Sequence, residues 1–280
     1  MAGSKYAYVR NFELPDPLLP RTFMVLRLDG HSFHRFSDEH DFTKPNDIRA
    51  LKLMDHAAKD LMEQYPDVVL AFGESDEFSF LIRKSASLYN RRQSKIVSTL
   101  TSLFTSSYVF RWATYFPDRP LKYPPSFDGR LVLYPGAQEI RDYFSWRQTD
   151  THINNLYNTT FWALVQQGGE TTTQAHTTLK GTVSKEKNEI LFSRFHINYN
   201  TLDAQFRKGS ILVREEISEE PVPDTSTTAD TSTENDTTTS PASSLPKMRG
   251  RTKPRTKVVV LHCDIIKDKF WDARPEILSS

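Results

Sequence analysis

The order of strand-like and helix-like segments in the first half of this chain restricts the folds that it can adopt. Apolar patterns predict four strands and two helices, the first helix with Asn46 as its N-cap. The strands are Thr22–Leu28, Val68–Phe72, Phe78–Ile82 and Arg130–Tyr134, and the helices are Asn46–Tyr65 and Leu88–Ala113. The resulting β-α-β-β-α-β order predicts a ferredoxin-like split unit in an α+β fold, with an antiparallel sheet and helices on one face.

Two acidic segments stand at the ends of predicted strands. Asp29 follows the first strand, and Asp76 lies in the turn Gly73–Glu77 before the third strand. Strands one and three are central neighbours in the split unit, so we expect Asp29 and Asp76 to meet at one edge of the sheet. Paired carboxylates predict a site for Mg²⁺, which usually keeps substrate phosphates among its ligands, and this indicates nucleotidyl transfer. The alternative is that both segments are ordinary polar turns.

Two basic segments are candidates for phosphate binding. Lys44–Asp47 precedes the first helix, whose free N–H groups favour an anion, although a capped helix with an exposed lysine has the same pattern. Arg91, Arg92 and Lys95 lie on one face of the second predicted helix, with no acidic neighbour in the sequence. That face is either a solvated surface or a second site for triphosphate or RNA phosphate.

The second half is predicted to be mostly helical. Candidate helices span Gln138–Trp146 and His152–Gln167, joined by a short connection. Trp146–Gln148 and His152–Asn158 crowd amide, imidazole and phenol groups together. Such groups either satisfy one another in a polar core or read splayed RNA bases.

A Ser/Thr-rich, acidic stretch interrupts the last part of the chain. It begins near Ile217, and its composition predicts disorder. Eight acidic residues lie from Glu215 to Asp236, so removing their charges raises the net charge from +1 to +9 and leaves a basic remainder suited to a polyanion. The basic run Lys247–Lys257 that follows is open to interpretation as an RNA arm, a nuclear-import signal or a linker. The flanking runs Ser210–Val213 and Val258–Leu261 are predicted to pair as a hairpin with this stretch as its loop.

The bulk properties favour an intracellular protein. Cys263 is the one cysteine among 280 residues, so no internal disulfide can form. We find no apolar run long enough for a bilayer and no signal-peptide pattern. We therefore expect a cytoplasmic protein without a membrane partner, and the basic run leaves the nucleus open as a second location.

Seven short motifs have high specificity when they are taken together. They are Ser4–Tyr6, Arg27–Gly30, Lys44–Asp47, Gly73–Glu77, Arg91–Lys95, His152–Asn158 and Lys187–Phe192. As a set they resemble the tRNA-His guanylyltransferase family. The resemblance runs from the start to about Val213 and resumes at Val258–Asp264, and the Ser/Thr-rich stretch departs from the pattern.

The resemblance implies a polymerase-type palm that works in the reverse direction. The implied reaction adds a guanylate to the 5′ end of tRNA-His. The tRNA 5′-phosphate first attacks ATP to give a 5′-adenylylated RNA, the GTP 3′-hydroxyl then displaces AMP, and pyrophosphate is finally removed. The implied partners are tRNA-His, ATP, GTP and further copies of the chain, in a homotetramer built as a dimer of dimers.

The resemblance also implies residue roles. Asp29, Asp76 and the Gly30 carbonyl hold two Mg²⁺ ions, and Glu77 and Ser75 complete the catalytic set. The residues implied for nucleotide binding are Asp29, Gly30, His31, Ser32, Phe33, His34, Lys44, Asn46, Asp47, Ser75, Asp76, Arg92 and Lys95. Those implied for tRNA binding are His152, Asn155 and Lys187.

The expected organisation has three parts. Residues 1–136 form the palm-like catalytic region, 137–216 and 257–280 form the helical RNA-contacting region with the closing strands, and 217–256 form the insertion with its basic run. Two rival functions stay open: another palm enzyme, such as a nucleotide cyclase that needs no RNA, and a non-catalytic RNA-binding protein with a structural ion.

Overall fold

The computed structural model of this chain describes residues 4–216 and 256–279. Its strands are β1 (Phe23–Gly30), β2 (Val68–Glu74), β3 (Glu77–Ile82), β4 (Phe127–Tyr134), β5 (Ser210–Glu216) and β6 (Thr256–Leu261). Its helices are α1 (Phe33–Glu39), α2 (Ile48–Gln64), α3 (Gln93–Tyr115), α4 (Ala137–Gln166), α5 (Thr172–Leu179), α6 (Ser184–Phe195), α7 (Ala204–Lys208) and α8 (Asp268–Asp272). Short 3₁₀ helices occupy Ala7–Phe12, Leu88–Arg91, Tyr199–Thr201 and Pro275–Ile277.

The six strands form one sheet in the order β4-β1-β3-β2-β5-β6. β1 pairs antiparallel with both β3 and β4, and β2 pairs antiparallel with β3 and β5. The predicted split unit is confirmed, with strands one and three as central neighbours. β5 and β6 are also neighbours, as predicted for the hairpin. The predicted disorder of the insertion and the role of the basic run concern residues outside the described ranges.

Alternate residues of the central strands face two different cores. Met24, Leu26 and Leu28 of β1 pack in a cluster with the apolar stripes of α2 and α3. Phe23 and Val25 point to the other face, where they pack in a cluster with the start of α4 and the C-terminal segment. The two helices of the split unit thus share one face as predicted, and the second half of the chain covers the other face, which the helix pattern did not predict.

Three helix boundaries differ from the prediction. The N-cap of α2 is Asp47, whose side chain accepts from the Arg49 N–H, so the assignment of Asn46 as the cap is wrong. The second predicted helix begins only at Gln93, because Tyr89 and Asn90 take left-handed backbone angles. The two helices predicted at Gln138–Trp146 and His152–Gln167 are one continuous helix, α4.

The chain divides into a compact unit of residues 1–214 and 258–280 and a separate unit of residues 215–257. The proposed boundary near residue 136 stays a prediction. Within the described residues, no helix is both long enough and apolar enough to cross a membrane.

Candidate active site

The two acidic strand ends lie together at one edge of the sheet. The Cα atoms of Asp29 and Glu77 are cross-strand partners, and the Gly30 N–H donates to the Asp76 carbonyl over 3.1 Å. Ser75 makes the turn between β2 and β3 with a left-handed backbone (φ 49°). The topology therefore brings Asp29 to the Ser75–Glu77 turn, as expected from the strand order.

Asp29 belongs to a row of four carboxylates that crosses the sheet. Successive cross-strand partners are Asp128 of β4, Asp29 of β1, Glu77 of β3 and Glu74 of β2. Partners in an antiparallel register project from the same face, here the face covered by α4. The sequence analysis did not select Asp128, and the signal for it was the Asp-Gly step that opens β4.

Burial makes this acidic edge electrostatically unfavourable. Burial, with the negative charges of Asp29 and Glu77 adding to it, raises the pKa of Asp76 to about 6. The pKa of Glu74 rises to about 7, chiefly because the carboxyl is buried and also because Glu77 lies near. Carboxylates whose charged forms are this disfavoured gain from a bound cation.

Arg147 of α4 supplies a positive charge to the row. Its Nη1 donates to both carboxylate oxygens of Glu77, at 3.1 and 3.2 Å, and its Nη2 donates to Asp150. The guanidinium also stacks on Trp146, with 3.5 Å from its carbon to the ring centroid. Arg27 of β1 lies 3.7 Å from Glu77 on the same face. Glu77 is thus held by two arginines, and within the described part of the chain no arginine is paired in this way with Asp29 or Asp76.

A cavity of about 690 Å³ opens beside the acidic turn. Predicted nucleotide-binding residues line it: Phe33, His34, Lys44, Asn46, Asp47, Ser75 and Asp76. The structure therefore gathers the segment after β1, the segment before α2 and the β2–β3 turn around one space. A nucleotide site needs a cationic end and a concave body of this size.

Hydrogen bonds set the polar end of this cavity. Lys44 Nζ pairs with Asp38 at 2.7 Å and donates to the Ser37 hydroxyl at 2.9 Å. Asn46 Nδ2 donates to Asn155 Oδ1 over 2.9 Å, and Asn155 in turn donates to the Tyr199 hydroxyl. Lys44 and Asn46 are therefore held in place before any ligand binds.

Gly30 is required by the packing of the segment that follows β1. A Cβ atom on Gly30 would lie 2.3 Å from the Phe33 ring. That ring is buried against Phe36, Tyr108 and Phe127, so it cannot move aside. Only glycine fits the end of β1 at this close approach.

The comparison with protein families agrees with this geometry. The family model described as tRNAHis guanylyltransferase matches residues 6–135, and the model described as Thg1 C terminal domain matches residues 138–267. Together these models span most of the chain.

The chain belongs to the tRNA-His guanylyltransferase family. It is 50% identical over 290 residues to the tRNA(His) guanylyltransferase of Neurospora crassa, covering 100% of this chain and 97% of the relative. It is 50% identical over 275 residues to that of Schizosaccharomyces pombe, covering 98% of this chain and 97% of the relative.

Solved structures show the same fold. The crystal structure of the Saccharomyces cerevisiae tRNA(His) guanylyltransferase superposes with a TM-score of 0.72 at 51% identity, covering 75% of this chain and 93% of that one. A bacterial Thg1-like protein in complex with ATP superposes with a TM-score of 0.68 at 21% identity, covering 98% and 96%. The second likeness shows the α+β palm fold alone.

Not all of the residues implied for this guanylyltransferase family lie around the cavity. Arg92 pairs at 3.2 Å with Asp16, which lies 76 residues earlier in the chain, and neither Arg92 nor Lys95 lines the cavity. Arg91 is buried and donates to the carbonyls of Ala86, Leu19 and Thr22. The interpretation of Arg91 as part of a solvated helix face is therefore wrong. Its side chain is buried and links the chain before β1 to the turn before α3.

The three residues implied for tRNA binding differ in exposure. His152 is exposed on α4, whereas Asn155 is buried and joins Asn46 to Tyr199. Lys187 of α6 donates to the Thr182 carbonyl over 2.6 Å, and its ammonium lies 5.9 Å from the ring centroid of Tyr157. Gln148, in the same polar stretch, is a buried link that donates to the carbonyls of Lys208 and Cys263.

Side chains alone do not assemble a metal cage here. In residues 4–216 and 256–279, no three His, Cys, Asp or Glu side chains are arranged to hold one ion. The acidic edge offers carboxylates and backbone carbonyls as donors, and a site of this kind leaves room for oxygen ligands from a substrate.

Proposed function

We propose that this chain adds a guanylate to the 5′ end of tRNA-His, using ATP for activation and GTP as the donor. The observation that carries the proposal is the meeting of Asp29 with the Asp76 turn beside a cavity that Lys44 and Asn46 line. The named relatives, half of whose aligned residues are identical to this chain, are tRNA(His) guanylyltransferases.

The cavity is the proposed site of one nucleoside triphosphate. Lys44 and Asn46 bind its phosphates, and the exposed His34, which ends the segment His31–His34, lies along its nucleoside. Lys44 is paired with Asp38 in this structure, so phosphate binding replaces or shares that contact. Bacterial Thg1-like proteins have been solved in complex with ATP and with GTP, which supports nucleotide binding by this fold.

The residues at the acidic edge fit Mg²⁺. Asp76 is a buried carboxyl with a raised pKa beside a second carboxylate, Asp29, and this donor set is made of hard oxygen atoms. Asp29, Asp76 and the Gly30 carbonyl would hold two ions. Bound there, Mg²⁺ would neutralise phosphate charge and lower the barrier to in-line displacement.

The proposed reaction proceeds by two displacements at phosphorus. In the first, an oxygen of the tRNA 5′-phosphate forms a bond to the α-phosphorus of ATP, and pyrophosphate leaves. In the second, the 3′-hydroxyl of GTP forms a bond to the tRNA 5′-phosphorus, and AMP leaves. Removal of pyrophosphate from the added guanylate follows. Such transfers depend mainly on positioning and charge neutralisation, which Lys44, Asn46 and the acidic pair provide.

The finer assignments extend this proposal beyond the cavity. Arg92 and Lys95, at the start of α3, would hold a second triphosphate, and His152 and Lys187 would contact tRNA. Asn155 acts on the site through Asn46, to which it is hydrogen-bonded. We also propose a homotetramer, to be checked by light scattering, and a cytoplasmic location, to be checked by imaging the tagged chain.

A single labelling experiment tests the function. Protein, Mg²⁺, ATP, GTP and 5′-monophosphorylated tRNA-His lacking its extra guanylate should yield an adenylylated intermediate and then an RNA longer by one nucleotide. Asp29→Asn and Asp76→Asn should each lower the rate of both steps about a hundredfold or more, with the fold intact by circular dichroism.

Other outcomes of this experiment would contradict the proposal. Full activity in either variant would remove the acidic pair from the site. A product formed from nucleotide alone would indicate the cyclase-like alternative. Tight tRNA binding with no pyrophosphate release from folded wild-type protein would indicate a binding protein with a structural ion.

A further inference from the structure

The nucleotide cavity has a second wall that the proposed function has not used. Tyr157 and Phe161 of α4 and His176 of α5 line the same cavity as Lys44. Ring centroids lie 6.3 Å apart for Tyr157 and Phe161 and 4.6 Å apart for Phe161 and His176. We call these three side chains the aromatic wall.

A hydrogen bond within the aromatic wall joins two of its polar atoms. The Tyr157 hydroxyl and His176 Nδ1 are 2.7 Å apart and bond to each other. Tyr157 is half-buried and His176 is exposed at the margin of the cavity. Because this bond occupies the Tyr157 hydroxyl and one of the two His176 ring nitrogens, the wall presents more aromatic surface than hydrogen-bonding groups.

The lining of the cavity matches the two ends of a nucleotide. It combines the aromatic wall with the Lys44 ammonium, which lies 5.8 Å from the ring centroid of Trp162, the residue that follows Phe161 in α4. A ligand that fills the space therefore needs an anionic end and a flat apolar end within the same molecule. Nucleoside triphosphates have this character, and free phosphate does not.

We propose that the aromatic wall binds the base of the nucleoside triphosphate by stacking. This proposal rests on the proposed function, which places the phosphates of the same molecule at Lys44 and Asn46. A wall that reads the flat face of a base, and not its edge, distinguishes poorly between adenine and guanine. The site would then accept both ATP and GTP, and selection of the added base would depend on contacts elsewhere.

Titration calorimetry with ATP, GTP and inorganic tripolyphosphate, each with Mg²⁺, tests the proposal. Tyr157→Leu should weaken ATP and GTP binding by about tenfold each, because stacking on one aromatic ring accounts for that much affinity. Tripolyphosphate binding should not change. Tyr157→Phe is the matched control, because it keeps the ring and removes only the hydroxyl, and its affinities should stay near those of the wild type.

Two more variants make the result independent of one substitution. His176→Ala, at the exposed margin of the cavity, should also weaken the binding of ATP and GTP but leave the binding of tripolyphosphate unchanged. Lys44→Met should weaken the binding of all three ligands. This result would show that the measured binding takes place in this cavity.

Each contrary result has its own meaning. Unchanged nucleotide affinity in both Tyr157→Leu and His176→Ala would overturn the aromatic wall as a base site while leaving the phosphate site intact. Weakened tRNA binding with unchanged nucleotide binding would overturn it in favour of an RNA base. If wild-type protein bound neither nucleotides nor tripolyphosphate, the proposed function itself would fail, and this proposal with it.

Discussion

Asp55 provides the sharpest test of how the structure tunes a buried carboxyl. It lies on α2 and is 8% exposed, and its Oδ2 accepts from Gln205 Nε2 at 2.9 Å and from the Ser210 hydroxyl at 3.0 Å. Burial raises its pKa from 3.8 to about 6, against the opposing effects of Ser210 and the charge of His262. Folding therefore favours the protonated form of Asp55.

The sign and size of the pH effect follow from that shift. A carboxyl whose pKa is higher in the folded state stabilises the fold most below 3.8, and this contribution is lost as the pH rises through 6. A rise of about two pKa units corresponds to about 3 kcal/mol of unfolding free energy over the whole range. Somewhat under half of it, about 1 kcal/mol, falls between pH 5 and pH 7.

Asp55→Asn should remove this pH dependence. The amide keeps an oxygen that can accept from Gln205, and it carries no charge whose burial opposes folding. The unfolding free energy of each protein is measured in urea without metal or nucleotide. The value for the wild type minus that for the variant should be about 1 kcal/mol lower at pH 7 than at pH 5.

The exposed Asp118→Asn serves as the control for Asp55→Asn, and its stability should run parallel to that of the wild type at every pH. Parallel curves for Asp55→Asn and wild type would refute the reasoning about Asp55.

Three further substitutions test separate parts of the structure. Arg91→Met should lower the unfolding free energy in urea by about 3 kcal/mol, since buried carbonyls lose their donor, and a loss below about 1 kcal/mol would contradict that role. Arg147→Met should cost about 3–5 kcal/mol by the same assay, and adding Glu77→Gln should recover part of it, because the unpaired buried carboxylate is then gone. His152→Ala should raise the KM for tRNA about tenfold with ATP affinity unchanged, and an equal loss of ATP affinity would remove the RNA role.

Periodic patterns explain why the central part of the fold was predictable. The strand and helix patterns of the first half are local, and the β-α-β-β-α-β order leaves few ways to pair the strands. That order alone placed Asp29 beside the turn that holds Asp76. Helix ends were less predictable: Asp47 and Asn46 are both good caps, but Asp47 caps α2, while the Asn46 side chain bonds to Asn155, 109 residues away.

Polar residues of the second half show where local reasoning stops. Arg147, Gln148 and Asn155 are buried partners of distant groups, whereas His152, on the same helix, is exposed. A helical residue is buried or exposed according to what packs against its face, and composition does not encode that. The same limit applies to Arg91, whose acceptors include the carbonyl of Leu19, 72 residues earlier.

The sequence by itself determined the split unit, the acidic pair at its edge and the family, because these depend on short motifs and on periodicities of two and 3.6 residues. Only the tertiary structure decided that Asp128, Asp29, Glu77 and Glu74 form one row and that Arg147 neutralises part of it. It also decided that Tyr157, His176 and Lys44 line one cavity. The physical reason is that register and helix packing join residues far apart in the chain, and the burial that shifts their pKa values exists only once those contacts form.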